Sequence, residues 1–271
     1  MQPLLQEVER KIGRLKKRMG IIQRSPYENI YYCCTQKTAS QWFAAVFEDY
    51  SCYQYMGLDV YRYAKLGLKE ACLNEAIPKR TIGTHLYISY PTYLNIPKPA
   101  NYKTFFILRD PRDVVVSFYF SAKYSHGLVE PITTWRPHLQ KLDFHEGLKF
   151  MIDAMKDVGY FEVQRSWTAA DVDKKNVKIF RYEDLANDNQ LFLKNLFDYL
   201  NIKIPEDVFI ALCDRHKFEN KSGGRNLGEE NLNHHYRKGA SGDWINHFDS
   251  SLQTYFKEVT KDLVEILGYS E

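Results

Sequence analysis

The chain has 271 residues, 44% of them apolar and 26% charged, enough for a full hydrophobic core and ordinary for a soluble globular protein. Its 37 basic and 34 acidic residues leave a net charge of +3, too balanced to make nucleic acid or an anionic membrane the main partner. Five cysteines with an adjacent pair, Cys33 and Cys34, and no Cys-x-x-Cys argue against a disulfide framework or a zinc site and for a reducing, cytoplasmic setting.

The charged stretch 1–19 lacks a signal peptide's apolar core. Within it Leu5, Val8, Ile12, Leu15 and Met19 recur every three or four residues, so an amphipathic helix is expected over 1–22, packed on the body of the chain or extending from it as a dimer or surface contact. No apolar run approaches the ~20 residues that cross a bilayer. Residues 30–35 read as a buried strand, and Ala39, Trp42, Phe43, Val46 and Phe47 then follow helical spacing. The tyrosines at 50, 53, 55, 61 and 63 suit core packing and a ring-lined pocket about equally. Residues 80–84, 104–108 and 176–180 are further strands. Asp110 followed by Pro111 marks a helix start, an N-cap residue with Pro at the first helical position. Leu191, Leu196 and Leu200 mark a helix, as do Val208, Ala211 and Leu212. Leu252, Tyr255, Phe256, Val259, Leu263 and Ile266 read as one C-terminal amphipathic helix.

Strands alternating with helices predict an α/β fold, a single domain over 1–271, with a central parallel β-sheet flanked by helices on both faces. Such sheets bind ligands beyond the carboxyl ends of their strands, which singles out the residues just after Thr35, Thr84, Leu108 and Phe180. The Gly- and Asn-rich stretch 220–242 is the one long irregular segment, and loops of that length are usually functional or mobile.

Two of those strand ends hold chemistry. Residues 36–42 join a strand to a helix, where free backbone N–H groups and the helix dipole attract an anion. Lys37 adds a charge, and Thr38 and Ser40 add hydroxyls; the alternative is a capped helix with an exposed lysine. There is no G-x-x-x-x-G-K-[ST], which argues against a nucleoside triphosphatase or an ATP-dependent kinase. At the end of 104–108, Arg109 stands where a guanidinium can grip phosphate oxygens bidentately. Ser117 lies in the following helix, where a serine commonly bonds its own backbone, and Asp113 is free to pair with Arg112.

Taken whole, the string Arg109-Asp110-Pro111-Arg112-Asp113-Val114 to Ser117 resembles the segment by which sulfotransferases hold the 3′-phosphate of 3′-phosphoadenosine 5′-phosphosulfate (PAPS). Residues 37–42 are similar to that family's phosphosulfate loop, which normally reads Pro-Lys-Ser-Gly-Thr-Thr-Trp. Arg181-Tyr182-Glu183-Asp184-Leu185 is similar to the strand end beside the adenine. Tyr236-Arg237-Lys238-Gly239-Ala240-Ser241-Gly242-Asp243-Trp244 is similar to the loop that closes over the cofactor, and Ser222-Gly223-Gly224-Arg225 resembles that loop in bacterial members. The resemblance runs from about residue 28 to 249.

The resemblance implies a P-loop-like phosphosulfate loop in which Lys37, Thr38, Ala39, Ser40, Gln41 and Trp42 surround the 5′-phosphosulfate. It implies that Arg109, Ser117, Arg237, Lys238 and Gly239 bind the 3′-phosphate, that Tyr182 and Phe218 flank the base, and that His85 is the general base, with Lys37 stabilising the leaving phosphate. It implies PAPS as donor with adenosine 3′,5′-bisphosphate (PAP) as product, no metal, a small-molecule, lipid or glycan acceptor, and a monomer or homodimer. A catalytically weak or inactive PAPS/PAP-binding protein on the same fold is the alternative. The chain departs from the pattern at four places. Gln36 replaces Pro, and Ala39 replaces Gly, which is tolerated only if φ is negative there. Gly83 stands where many members have a Lys, and His216 replaces a Thr near the adenine.

Overall fold

A computed structural model describes residues 8, 9, 11–13, 15, 23–62, 75–168 and 172–270. Five strands, β1 (Asn29–Cys34), β2 (Asp59–Arg62), β3 (Thr81–Leu86), β4 (Tyr102–Leu108) and β5 (Val177–Arg181), form one sheet in the order β2-β3-β1-β4-β5. Every pairing is parallel. The four strands expected from sequence are present with ends shifted by a residue or two. β2 was not expected: it is short and lies at the sheet edge, where a strand of four residues leaves no periodic signal.

The alternation of buried residues along β1 and β4 builds two cores. Tyr31, Cys33, Phe106 and Leu108 pack on one face of the sheet with helices Pro111–Phe120, Phe144–Asp157, Tyr160–Ser166 and Ser250–Thr260. Ile30, Tyr32, Cys34, Phe105 and Ile107 pack on the other with Ser40–Glu48, Asn189–Tyr199 and Glu206–Arg215. A strand buried on both faces reads as a continuous apolar run, which is why 30–35 was legible. Strand order reverses around β1, with β3 on one side and β4 on the other, so the loops leaving β1 and β4 open a crevice between them.

Two expectations, on the C-terminal helix and on Asp113, are corrected. The C-terminal helix is two helices, Ser250–Thr260 and Leu263–Ile266, broken where Lys261 takes φ 61° and its N–H returns to the Lys257 carbonyl. Of the N-terminal stripe, Val8, Ile12 and Leu15 are 47%, 46% and 57% exposed, while it is Gly13 that lies against the Tyr53 ring. Leu5, Met19, Tyr63 and Cys72 lie outside the described residues. Finally, Asp113 does not pair with Arg112, whose guanidinium instead meets Asp110 at 2.7 Å and lies over the Trp244 ring. Among the described residues no helix is long and apolar enough to cross a membrane.

Candidate functional site

The loop after β1 turns sharply before helix Ser40–Glu48. Its cap residue, Ala39, has φ 65° and ψ 26°, and Lys37 also has φ 65°. The negative φ that would make Ala39 free of strain is therefore not found: both residues sit in the left-handed region, which costs an L-residue roughly 1–2 kcal/mol. No side chain caps this helix and its first turn carries no acid, so its N–H groups are left for an anion. Tyr160 braces the loop, donating to the Gln36 carbonyl at 2.7 Å and hydrogen-bonding the Thr35 hydroxyl. Thr38 faces away from the crevice: its hydroxyl donates to the Thr35 carbonyl at 2.7 Å.

Arg109 leaves β4 and is 5% exposed. It donates to the carbonyls of Lys37 at 2.9 Å and Ala240 at 3.4 Å, and its guanidinium lies 4.0 Å over the Tyr182 ring. One side chain thus joins the loop after β1, the irregular segment and the end of β5. Its Nε is buried without a protein partner, and a buried charged donor left unpaired costs enough that an anionic ligand is its natural complement. Asp110 caps the helix as expected, accepting from the Arg112 N–H at 2.9 Å.

The segment 236–244 closes over this point. Asp113, fully buried, accepts from the N–H groups of Gly242 at 2.7 Å and Trp244 at 2.9 Å, pinning the loop to helix Pro111–Phe120. Asp243 holds Arg237 and Lys238, each at 2.5 Å. Burial pushes its carboxyl upward, but hydrogen bonds from His247, Lys238 and Arg237 outweigh that and keep it well below the usual carboxylate range. Arg237 also pairs with Glu230 and lies over the Phe120 ring. Gly239 has φ 73°, and a Cβ there would stand 2.5 Å from a Phe218 ring carbon and 2.9 Å from Leu227. Only glycine gives both the turn and the close approach.

These elements enclose a cationic cavity of about 160 Å³, lined by Lys37, Ala39, Ser40, Gln41, Trp42, Arg109, Ser117, Tyr182, Arg237, Lys238 and Gly239. Beside it a second cavity, of about 350 Å³, shares the walls Ala39, Trp42, Tyr182, Tyr236 and Gly239 and adds Phe218 and Leu227. A charged recess joined to a ring-lined one fits a nucleotide that carries phosphates at one end and a base at the other. Eleven of the sequence-predicted residues meet in the first recess and Phe218 in the second. His216, expected near the base, is buried and turned to Asp49 at 3.1 Å, while its carbonyl accepts from the Trp42 indole at 2.7 Å.

Sequence reasoning missed Ser121 and Ser125, which line the charged cavity with Ser117 at a spacing of four, and His126, His234 and His235. The serine spacing was a usable signal; the histidines sit in irregular chain, where no periodicity points to them. Ser121–Ser125 forms a turn of π-helix, a feature frequent at functional sites. Lys37, in this setting, is depressed to about 7 by burial, then by Arg109 and Arg237.

His85 lines neither cavity. It sits at the end of β3 in a bulge: Tyr31 pairs with Gly83 and Cys33 with Leu86, so β3 holds one residue more than β1 over this stretch. A bulge bends the strand and re-aims its side chain, and His85 has φ 21°. Its Nδ1 is buried without a partner, and its ring lies 5.3 Å from that of Tyr87, whose hydroxyl bonds Ser40 at 2.8 Å. Burial, then the Arg62 charge, lowers its proton affinity, and Glu48 partly restores it, so the imidazole is neutral at pH 7. Glu48 itself is engaged by Arg62 at 2.7 and 2.9 Å.

The family model of the sulfotransferase domain matches residues 28–268. Among curated proteins the chain is similar to "Sulfotransferase 6B1" of Danio rerio, 27% identical over 188 residues, which are 67% of this chain and 58% of that protein. It is also similar to "Sulfotransferase 1C2" of Homo sapiens, 22% identical over 174 residues, 61% and 55% of the two chains. The match thus spans a little over half the length of these relatives. Among solved structures it is similar to mouse sulfotransferase SULT7A1 complexed with PAP, with TM-score 0.60, 19% identity and coverage of 89% and 86% of the two chains. Retinol dehydratase in complex with retinol and PAP gives TM-score 0.53, 20% identity and coverage of 90% and 83%.

Proposed function

The chain belongs to the sulfotransferase domain family, and on that footing we propose that it moves a sulfuryl group from PAPS to a hydroxyl of a small-molecule, lipid or glycan acceptor. The observation that carries this reading is Arg109. Its guanidinium is buried where three strand-end segments meet, keeps Nε unpaired, and adjoins the ring-lined recess. Sulfuryl transfer resembles phosphoryl transfer: an in-line displacement whose catalysis is mostly positioning and charge stabilisation.

Arg109, Ser117, Arg237, Lys238 and Gly239 would hold the 3′-phosphate, and Trp42, Tyr182 and Phe218 the base. Lys37 and the bare N-terminus of helix Ser40–Glu48 would face the phosphosulfate; Ser40 and Gln41 line the same recess, and Thr38 offers its backbone alone. His85, neutral at pH 7, takes the proton of the acceptor hydroxyl as its oxygen bonds to sulfur. Lys37 receives the charge left on the phosphate oxygen as the old S–O bond breaks. The reading makes the chain one cytoplasmic domain, monomeric or homodimeric, in keeping with the unpaired buried Cys33, Cys34, Cys52 and Cys213.

A second reading, a cofactor-binding protein with little turnover, is favoured by one observation: His85 stands outside both cavities. Calorimetry tests what the two readings share. PAP should bind far more tightly than AMP, which lacks the 3′-phosphate, and equal affinities would remove the assignment of Arg109, Arg237 and Lys238. Turnover of PAPS, absent in His85→Ala with PAP binding intact, separates the enzyme from the binder.

A further inference from the structure

We propose that Arg62 and Glu48 are positioning residues of the transfer site, acting through His85 rather than on the donor. The proposal rests on the reading of His85 as base. The sheet brings the pair there. In the β2–β3 register Arg62 stands opposite Thr84, the residue before His85. Helix Ser40–Glu48 starts at the phosphosulfate loop and ends at Glu48, whose carboxylate takes both arms of the Arg62 guanidinium, Nε at 2.7 Å and Nη2 at 2.9 Å. One helix therefore has the loop at its beginning and a clamp on the edge strand at its end.

A salt bridge half open to water contributes little to stability, about 0–1 kcal/mol, so stability is a weak reason for a fork of this geometry. A fork does fix direction. Among the described residues the groups around His85 are few: Arg62 from β2, Glu48 from the helix, and the Tyr87 ring from the segment after β3, its hydroxyl held by Ser40. Of these, Arg62 alone opposes a positive charge on the imidazole, and Glu48 sets how strongly. Gly83 supplies no charge from β3 itself. The pair thus favours the neutral imidazole, the form that accepts a proton.

The signs of the effect make the test. In Arg62→Gln the repelling charge is gone and Glu48 is released, so the His85 midpoint should rise by about half a pH unit or more. In Glu48→Gln the Arg62 charge is uncompensated, so the midpoint should fall. Arg62→Lys keeps the charge, loses the fork, and should stay near wild type. The midpoint is read by NMR on the imidazole Cε1–H of the full cofactor-free chain, with His85→Ala identifying the signal. The acid limb of PAPS turnover with 4-nitrophenol as acceptor probe should move in the same two directions. Unmoved midpoints, or shifts of the same sign in both variants, overturn the proposal. Retained turnover in His85→Ala overturns the base reading and the proposal with it, whereas lost turnover with unmoved midpoints removes the proposal alone.

Discussion

The two halves of the site are held in opposite ways. On the side of the expected 3′-phosphate every cation is tied down: Arg109 by two carbonyls and the Tyr182 ring, Arg237 and Lys238 by Asp243, and the loop that brings them by Asp113. On the transfer side the backbone is strained and two buried polar groups lack partners. Three of the six described non-glycine residues with positive φ are Lys37, Ala39 and His85, and the hydroxyl of Thr84 and the Nδ1 of His85 are buried without partners. The half expected to bind charge is braced several times over, whereas the half expected to react depends on a few residues kept in costly conformations. Strain of this kind persists only where the surroundings impose it.

The sharpest way to break the contrast is to cut the well-held half at its centre. Arg109→Ala should weaken PAP binding by about 1.5–3 kcal/mol, the range for hydrogen bonds to charged groups, or roughly 10- to 150-fold. AMP affinity should change much less, so calorimetry with both nucleotides isolates the 3′-phosphate. An equal loss for both would make Arg109 a brace between the Lys37 and Ala240 carbonyls rather than a ligand.

Gly239→Ala tests the seam between the charged and ring-lined recesses. The added Cβ meets Phe218, and φ 73° is unfavourable for alanine, so a destabilisation of about 1–3 kcal/mol is expected by thermal or denaturant unfolding. Because Gly239 is read as a 3′-phosphate residue and its added Cβ also displaces Phe218, PAP should weaken most and AMP in part. An equal loss of AMP and PAP would place Gly239 with the base rather than with the phosphate.

Lys37 probes the transfer side by pH. Its folded-state pKa is about 7, below the usual lysine value, and a bound dianion raises it. Between those two values binding takes up a proton, so PAP affinity should fall as pH rises above 7, by at most about tenfold (1.36 kcal/mol) per unit. Lys37→Met should flatten that dependence. A wild-type affinity constant from pH 7 to 9 would mean that Lys37 is charged before the ligand arrives.

Much of this contrast was legible in the sequence, but unevenly. The sheet and the cation set were, because β1 and β4 are apolar runs buried on both faces and because Arg109 and Arg237 sit in strings that resemble the family's cofactor-binding segments. What escaped depends on who meets whom across the chain. Asp113 and Asp243 read as partners of any nearby cation, and only the fold assigns one to the backbone of Gly242 and Trp244 and the other to Arg237 and Lys238. Arg62 sits on a strand too short to be seen. The break at Lys261 and the positive φ at Ala39 are backbone choices imposed by packing, and no side-chain pattern announces them.

Ala39 gives the smallest effect and the finest test. Replacing it with glycine removes a left-handed alanine, worth roughly 1–2 kcal/mol, but adds about 0.4–1 kcal/mol of unfolded-state entropy and strips a Cβ that packs on the core beneath helix Ser40–Glu48. The first term is slightly larger, so Ala39→Gly should stabilise the fold by about 0–1 kcal/mol, a rise in Tm of up to a few degrees for a chain of this size. PAP affinity should change little, because glycine can adopt the same φ and the expected 3′-phosphate contacts lie elsewhere. Turnover decides what the strain is for. If the left-handed turn fixes the N–H groups around the phosphosulfate, glycine adopts the same φ but holds it less firmly, and turnover should fall while Tm rises. A lower Tm would mean that packing of the alanine methyl outweighs its backbone cost, and the transfer side would then be better held than its dihedral angles suggest.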